Sequence, residues 1–156
     1  MGRIDFIDDP NAPRLTSVVP SAVVVVTDCR DRVLMVRRGD NDRWALPGGG
    51  HALGESITDT AVREVVEETG YTVAVERLTG IYTDPGHRMR YDDGEVRQQF
   101  AIVFRARPTG GALHCGEECR EVQWLTREDL APLDLHPSTR LRLEHALGDR
   151  IEPYIG

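Results

Sequence analysis

The chain has 156 residues, which suits a single domain with a sizeable core and requires no second one. Its formal charge of −7, from 26 acidic and 19 basic residues, and the lack of any Lys/Arg run argue against a nucleic-acid surface, which works by neutralising phosphates. No apolar stretch approaches the roughly 18 residues of a membrane span, and the first residues lack the apolar core of a secretory signal, so a cytoplasmic protein without membrane contact is expected.

Residues 1–16 are polar, contain Pro10 and Pro13, and read as an arm laid on the surface or partly disordered. The domain proper is expected over 17–148, with 149–156 as a C-terminal tail. Ala22–Thr27 is a β-branched run suited to a strand buried on both faces. A polar turn over Asp28–Arg32 follows, and Val33–Val36 is expected to return as the second strand of a hairpin. Arg37 and Arg38 stand directly after it, upstream of the glycine loop Pro47-Gly48-Gly49-Gly50. An arginine there can offer its fork of donors to a substrate phosphate or can simply stand at a solvated strand end. Trp44 reads as a core residue.

The pattern predicts a helix over Ile57–Thr69, with Ser56 as N-cap, Asp59 as its capping-box partner and Gly70 as the stop. A strand region follows over 72–82, broken by Thr83–His87. Asp93-Gly94 signals a turn, and in the run after it Phe100, Ile102, Phe104 and Ala106 form an inward apolar face that Pro108 and Gly110-Gly111 should end. His114–Arg120 reads as a loop, Glu121–Leu125 as a strand, Arg127–Leu130 as a helical turn. Pro137 opens a last helix carrying Leu141, Leu143 and Leu147. Strands interleaved with two main helices imply an α/β fold with a mixed sheet. The three cysteines, Cys29, Cys115 and Cys119, are an odd count that suits reduced thiols, and His114, Cys115 and Cys119 lack the fourth partner of a structural zinc site.

On the central helix, Ile57, Ala61 and Val65 form an apolar stripe, while Glu64, Glu67 and Glu68 fall within about 100° of arc on one face. Like charges at that spacing cost an isolated helix a few tenths of a kcal/mol. A solvated acidic face would tolerate this. The glycine loop just before it suggests instead a site for a hard divalent cation that brings phosphate oxygens with it.

The spacing Gly49, Glu55, Arg63-Glu64-Val65, Glu67-Glu68, Gly70-Tyr71 resembles the signature of the Nudix hydrolases, with Tyr71 where an aliphatic residue is usual. An apolar strand before it, Trp44-Ala45-Leu46-Pro47 leading in, and Glu121-Val122-Gln123-Trp124 later extend the resemblance over most of the chain. It implies an α/β/α Nudix sandwich with a mixed β-sheet. It also implies hydrolysis, with Mg²⁺ or Mn²⁺, of a small-molecule nucleoside diphosphate linked to another group, such as ADP-ribose or a related nucleotide sugar. The alternatives are a sanitising hydrolase of oxidised nucleoside triphosphates and a non-catalytic nucleotide sensor; a homodimer stays open.

Carried over by position, Glu64, Glu67 and Glu68 match the metal-binding carboxylates, Glu67 also counting as catalytic, and the Gly48 carbonyl matches a further ligand. Arg63 and Glu55 match residues that brace the loop and helix. The resemblance places the general base outside the signature in many members. Glu118 is the first candidate here, for base and metal ligand alike, and Glu117 the second, against the reading of a free surface glutamate. Pro85, 14 residues past Tyr71, lies near where ADP-ribose-cleaving members carry a proline, although turn chemistry alone accounts for one there.

Overall fold

The structure, a computed structural model, describes residues 2–156. In chain order the elements are β1 (Arg3–Ile7), β2 (Ser17–Val18), β3 (Ser21–Val26), β4 (Val33–Arg38), β5 (Trp44–Ala45), β6 (Gly48–Gly50), α1 (Ile57–Thr69), β7 (Tyr71–Tyr82), β8 (His87–Tyr91), β9 (Val96–Gln98), β10 (Ala101–Gly111), β11 (Cys119–Leu125), α2 (Arg127–Leu130), α3 (Pro137–Leu147) and β12 (Tyr154–Ile155). They form three sheets, ordered β1-β8-β9-β2, β12-β7-β10-β3-β6 and β11-β4-β5. The sheets are mixed, since β10 is parallel to β3 and antiparallel to β7. Among the described residues no helix is long and apolar enough to cross a membrane.

Strand β3 sets the layering. Successive side chains on a strand point to opposite faces, and here both faces are buried, as the β-branched run implies. Val24 and Val26 enter one core with Ala61 and Val65 of α1; Val25 enters the other with Leu143 and Ala146 of α3. Strand β10 divides the same way: Ile102, Phe104 and Ala106 on the α1 side, Ala101 and Val103 on the α3 side. The two helices therefore sandwich the five-stranded sheet. The apolar face expected on β10 is present, and its opposite face is buried too.

Helix α1 has the expected bounds because its ends are fixed locally. The Ser56 side chain accepts from the Asp59 N–H, and the Asp59 carboxylate accepts from the Ser56 N–H at 2.9 Å, a cap worth about 1 kcal/mol. Gly70 ends the helix in the left-handed region at φ 77°, where a side chain would be strained. Pro137 occupies the first turn of α3, as expected.

Some expectations are corrected. Strands β3 and β4 do not form a hairpin: β3 is flanked by β10 and β6, which leaves no free edge, so β4 pairs instead with β11 and β5, and a lone bridge, Thr27 to Val33, remains between them. Strand β10 does not stop at Pro108. It continues to Gly111 against β7 with irregular register, while β3 ends opposite Ala106, so the proline lies beyond the β3 pairing and interrupts no ladder on that side. The N-terminal arm contains a strand, β1, whose Arg3 to Ile7 pair with Tyr91 to His87 of β8. In the tail, β12 pairs with Gly80 and Ile81, and the Tyr154 ring packs 4.9 Å from Tyr82 and 4.6 Å from His145.

Asp5 pins β1 to the body. Burial would raise its carboxyl pKa, but the hydrogen bond from His87 Nε2 at 2.8 Å and the charge of Arg3 outweigh burial and hold it well below the usual range. A carboxyl depressed on folding stabilises the fold above its unfolded pKa and loses that contribution as pH falls. Asp5→Asn should therefore cost about 1–3 kcal/mol at pH 7, with the difference from the native chain shrinking below about pH 4. Melting curves across pH check this; a difference that widens on acidification would contradict it.

Candidate active site

The carboxylate face of α1 opens into a cleft of about 680 Å³ lined by Arg38, Glu64, Glu67, Glu68, Glu117 and Glu118 among others. Strand β6 runs beside α1, antiparallel to β3 with Val23, Ala22 and Ser21 opposite Gly48, Gly49 and Gly50. The approach between this strand and α1 is close: a Cβ on Gly49 would lie 2.5 Å from the Glu64 carboxylate. A side chain there would have to displace that carboxylate.

Arg63 ties the strand, the loop and the helix together. Its Nε donates to Glu55 Oε1 at 2.6 Å and its Nη2 to Glu55 Oε2 and the Gly50 carbonyl, both at 3.1 Å. Nη1 donates to Glu64 Oε1 at 2.7 Å and Glu67 Oε2 at 3.2 Å. These bonds, that to Glu55 first, raise the Arg63 pKa, and the same pair with Thr60 behind it lowers Glu55 to about 2. His51 Nδ1 extends the chain to Thr60 Oγ1 at 2.7 Å.

Glu64 and Glu68 are perturbed the other way. Burial raises both, further raised at Glu64 by Glu67 and Glu55 despite Arg63. Glu68 is pushed up to about 7 by burial, with Glu64 and Glu118 adding to it, against the Gly48 N–H donating at 3.1 Å and the Arg38 charge. A buried carboxylate with one backbone donor is undercompensated. All-oxygen donors around such a group suit a hard divalent cation, and the close-fitting Gly49 leaves the carboxylates room. The residues present fit a hard divalent cation.

Glu117 and Glu118 reach the cleft because their loop is docked on the end of α1: the N–H groups of His114 and Gly116 donate to the carbonyls of Thr69 and Glu68 at 2.9 and 3.2 Å, and Gly39 N–H donates to the Glu118 carbonyl at 2.9 Å. Within that loop Cys115 and Cys119 are joined as a disulfide, Cα atoms 5.7 Å apart, while Cys29 is free and exposed. This corrects the expectation of reduced thiols: the turn from Gly116 to Cys119 brings the two sulfurs together.

Arg37 and Arg38, expected just after the strand, are instead the last residues of β4, and they separate. Arg38 lines the cleft with its guanidinium held by Asp40 at 2.9 and 2.6 Å. Arg37 lies outside that lining in a surface network with Asp42 at 2.7 Å and Glu121 at 3.5 Å. Sequence reading missed a second cluster, in which Asp5, His87 and His136 bring ligating atoms within 4.8 Å of one another. Nothing local marks it, because it is assembled from β1, β8 and the start of α3.

The description "NUDIX domain" belongs to the family model that matches residues 18–145. A "MutT-like protein" of Streptomyces ambofaciens is 38% identical over 123 residues, 79% of this chain and 72% of that protein. An ADP-ribose pyrophosphatase of Methanocaldococcus jannaschii is 32% identical over 115 residues, 72% of this chain and 64% of the other. Among solved structures, a UDP-X diphosphatase superposes with a TM-score of 0.70 at 22% identity, covering 94% of this chain and 70% of its own, a likeness of fold.

Gly49→Ala should drive the new methyl into the Glu64 carboxylate and weaken Mn²⁺ binding on the order of tenfold or more, the scale for disturbing the support of a metal ligand. Titration calorimetry checks it beside circular dichroism of the fold; unchanged affinity would mean that the Glu64 position does not matter to the metal.

Proposed function

This chain belongs to the Nudix family and is a pyrophosphohydrolase of nucleotide derivatives; from that premise we propose that its substrate is a nucleoside diphosphate linked to another group, ADP-ribose or a related nucleotide sugar. The observation that carries this reading is the placing of Glu64, Glu67, Glu68 and Glu118 around one cleft beside the glycine strand. Two of the similar proteins bear names that specify a diphosphate carrying a further moiety. A second region, lined by Trp44, Gly48–Gly50, Tyr91 and several arginines, adjoins the cleft at Arg38, which borders both. A diphosphate at the carboxylate face would thus have space for the group it carries.

In this reading Glu64, Glu67, Glu68 and the Gly48 carbonyl hold Mg²⁺ or Mn²⁺. A bound divalent cation neutralises diphosphate oxygens and activates water for attack on phosphorus. The chain's own residues orient and exchange protons. Arg38, held flat by Asp40, presents its remaining donors to a phosphate oxygen. Arg63 and Glu55 keep the helix face and the glycine strand in register. Glu118, whose charge already acts on Glu68, accepts the proton from the attacking water.

Two substitutions test the roles. Glu67→Gln keeps the shape and removes a charge, so kcat/KM should fall by about 10²–10³ with the melting curve preserved; near-native rates at saturating Mg²⁺ would remove Glu67 from the metal site. Glu118→Gln should lower kcat by about 10² or more with little change in KM and flatten the acidic limb of the pH–rate profile, while Glu117→Gln stays mild. Were Glu117→Gln the damaging change, the base would be assigned to the wrong glutamate. Chelation should abolish turnover and added Mg²⁺ or Mn²⁺ restore it.

A further inference from the structure

The second region beside the cleft, about 140 Å³ and several times a water's share of roughly 30 Å³, holds charges that the hydrolytic reaction does not use. Arg142, on α3, is among the residues that line it. Its Nε is hidden from solvent without a hydrogen-bond partner, and among the described residues no carboxylate pairs with its guanidinium. What it has is the face of Tyr82, 5.5 Å from guanidinium carbon to ring centroid, a weak substitute for an anion. The one acid beside it, Asp5, is already engaged by His87 at 2.8 Å and Arg3 at 3.2 Å. The other arginines of this region look outward for partners, Arg38 to Asp40, Arg97 to Glu95 and Arg43 to Asp134.

A half-buried guanidinium whose Nε is hidden and unpaired is costly, and it persists where something compensates it. A metal ion at Asp5, His87 and His136 would not. Those atoms are close enough to ligate one, but Arg3 and Arg142 already place two positive charges against one carboxylate. Burial first, then His87, Arg3 and Arg142, push the His136 pKa down to about 4 against the pull of Asp5. What opposes a further cation here is the pair of guanidiniums, not the burial that first lowers the ring's pKa. The two guanidiniums favour an anion, and the adjoining start of α3 adds the Thr139 hydroxyl and the positive end of an 11-residue helix, the Ser138 hydroxyl and the first N–H groups being bonded to His136.

We propose that Arg142 and Arg3, with the start of α3, bind a second anionic group of the substrate, a phosphomonoester set apart from the scissile diphosphate. This rests on the reading of the chain as a hydrolase of nucleoside diphosphate derivatives and adds a preference among them: a nucleotide carrying a ribose phosphate is favoured over its dephosphorylated counterpart. A planar fork matches a tetrahedral phosphate through paired donors, which a hydroxyl in its place cannot exploit.

The test has two arms. In the first, the metal-free protein is melted with inorganic phosphate against chloride of equal ionic strength. Phosphate should raise the Tm of the native chain saturably; Arg142→Met should melt higher without phosphate, having lost a half-buried charge, and should no longer respond to it. In the second, with Mg²⁺ present, kcat/KM is compared for a nucleoside diphosphate derivative with and without a ribose phosphomonoester. The native chain should favour the phosphorylated member about tenfold or more, and Arg142→Met should bring the ratio near one; if that variant does not fold, Arg3→Gln should reduce the same ratio. Equal hydrolysis of both members with no phosphate effect on melting would overturn the anion site and leave the hydrolase reading standing. Phosphate protection lost in Arg142→Met, with neither member hydrolysed, would uphold the site and overturn the substrate reading. Equal protection of both chains by phosphate would overturn the site.

Discussion

The structure depends on one guanidinium. Three carboxylates crowded on one face of a short helix would repel each other and splay toward water, and Arg63 prevents this by donating to Glu64 and Glu67 on its own helix while gripping Glu55 in the preceding loop and the Gly50 carbonyl. Those bonds fix the distance between the helix and the glycine strand, which sits so near that any side chain at position 49 would strike Glu64. Arg63 cannot serve Glu68, which lies on the buried side and keeps a single Gly48 N–H. The division leaves one braced set of oxygens and one undercompensated oxygen pair facing the same cleft. A hard cation answers that arrangement better than any further side chain present.

The fold exists to hold that face still. Strand β3 lends one edge to the glycine strand and the other to β10, and its alternating valines key α1 and α3 to opposite sides of the sheet. The loop carrying Glu117 and Glu118 is then stitched to the last turn of α1 through the Thr69 and Glu68 carbonyls and closed by the Cys115–Cys119 bond. Residues on three separate segments, Arg38, the α1 carboxylates and Glu118, thereby converge without any of them lying on a free loop tip. Such support is what keeps reacting groups within the narrow tolerances of catalysis.

What the sequence revealed and what it hid divide along a physical line. The helix at 57–69 was legible because Ser56, Asp59 and Gly70 act within a turn of their own positions, and the signature spacing then pointed to Glu64, Glu67 and Glu68 on one face. The layering was legible in Ala22–Thr27, where an unbroken β-branched run can only mean burial on both sides. The partner of β4 was not, since it depends on which strands claim the edges of β3. Nor was the parting of Arg37 from Arg38: alternation on a strand separates neighbours, but which one faces the cleft is decided by the register with β11. The cluster of Asp5, His87, His136 and Arg142 was invisible for the same reason, as its members come from opposite ends of the chain and meet only through β1 pairing on β8.

The central claim is that the carboxylate face of α1, not the histidine cluster, is the cation site. A crystal grown with Mn²⁺ and a non-hydrolysable nucleoside diphosphate derivative, measured at a wavelength where manganese scatters anomalously, tests it directly. The account predicts anomalous density among Glu64, Glu67 and Glu68, in contact with the diphosphate. Density at Asp5, His87 and His136 with none on the α1 face would contradict it.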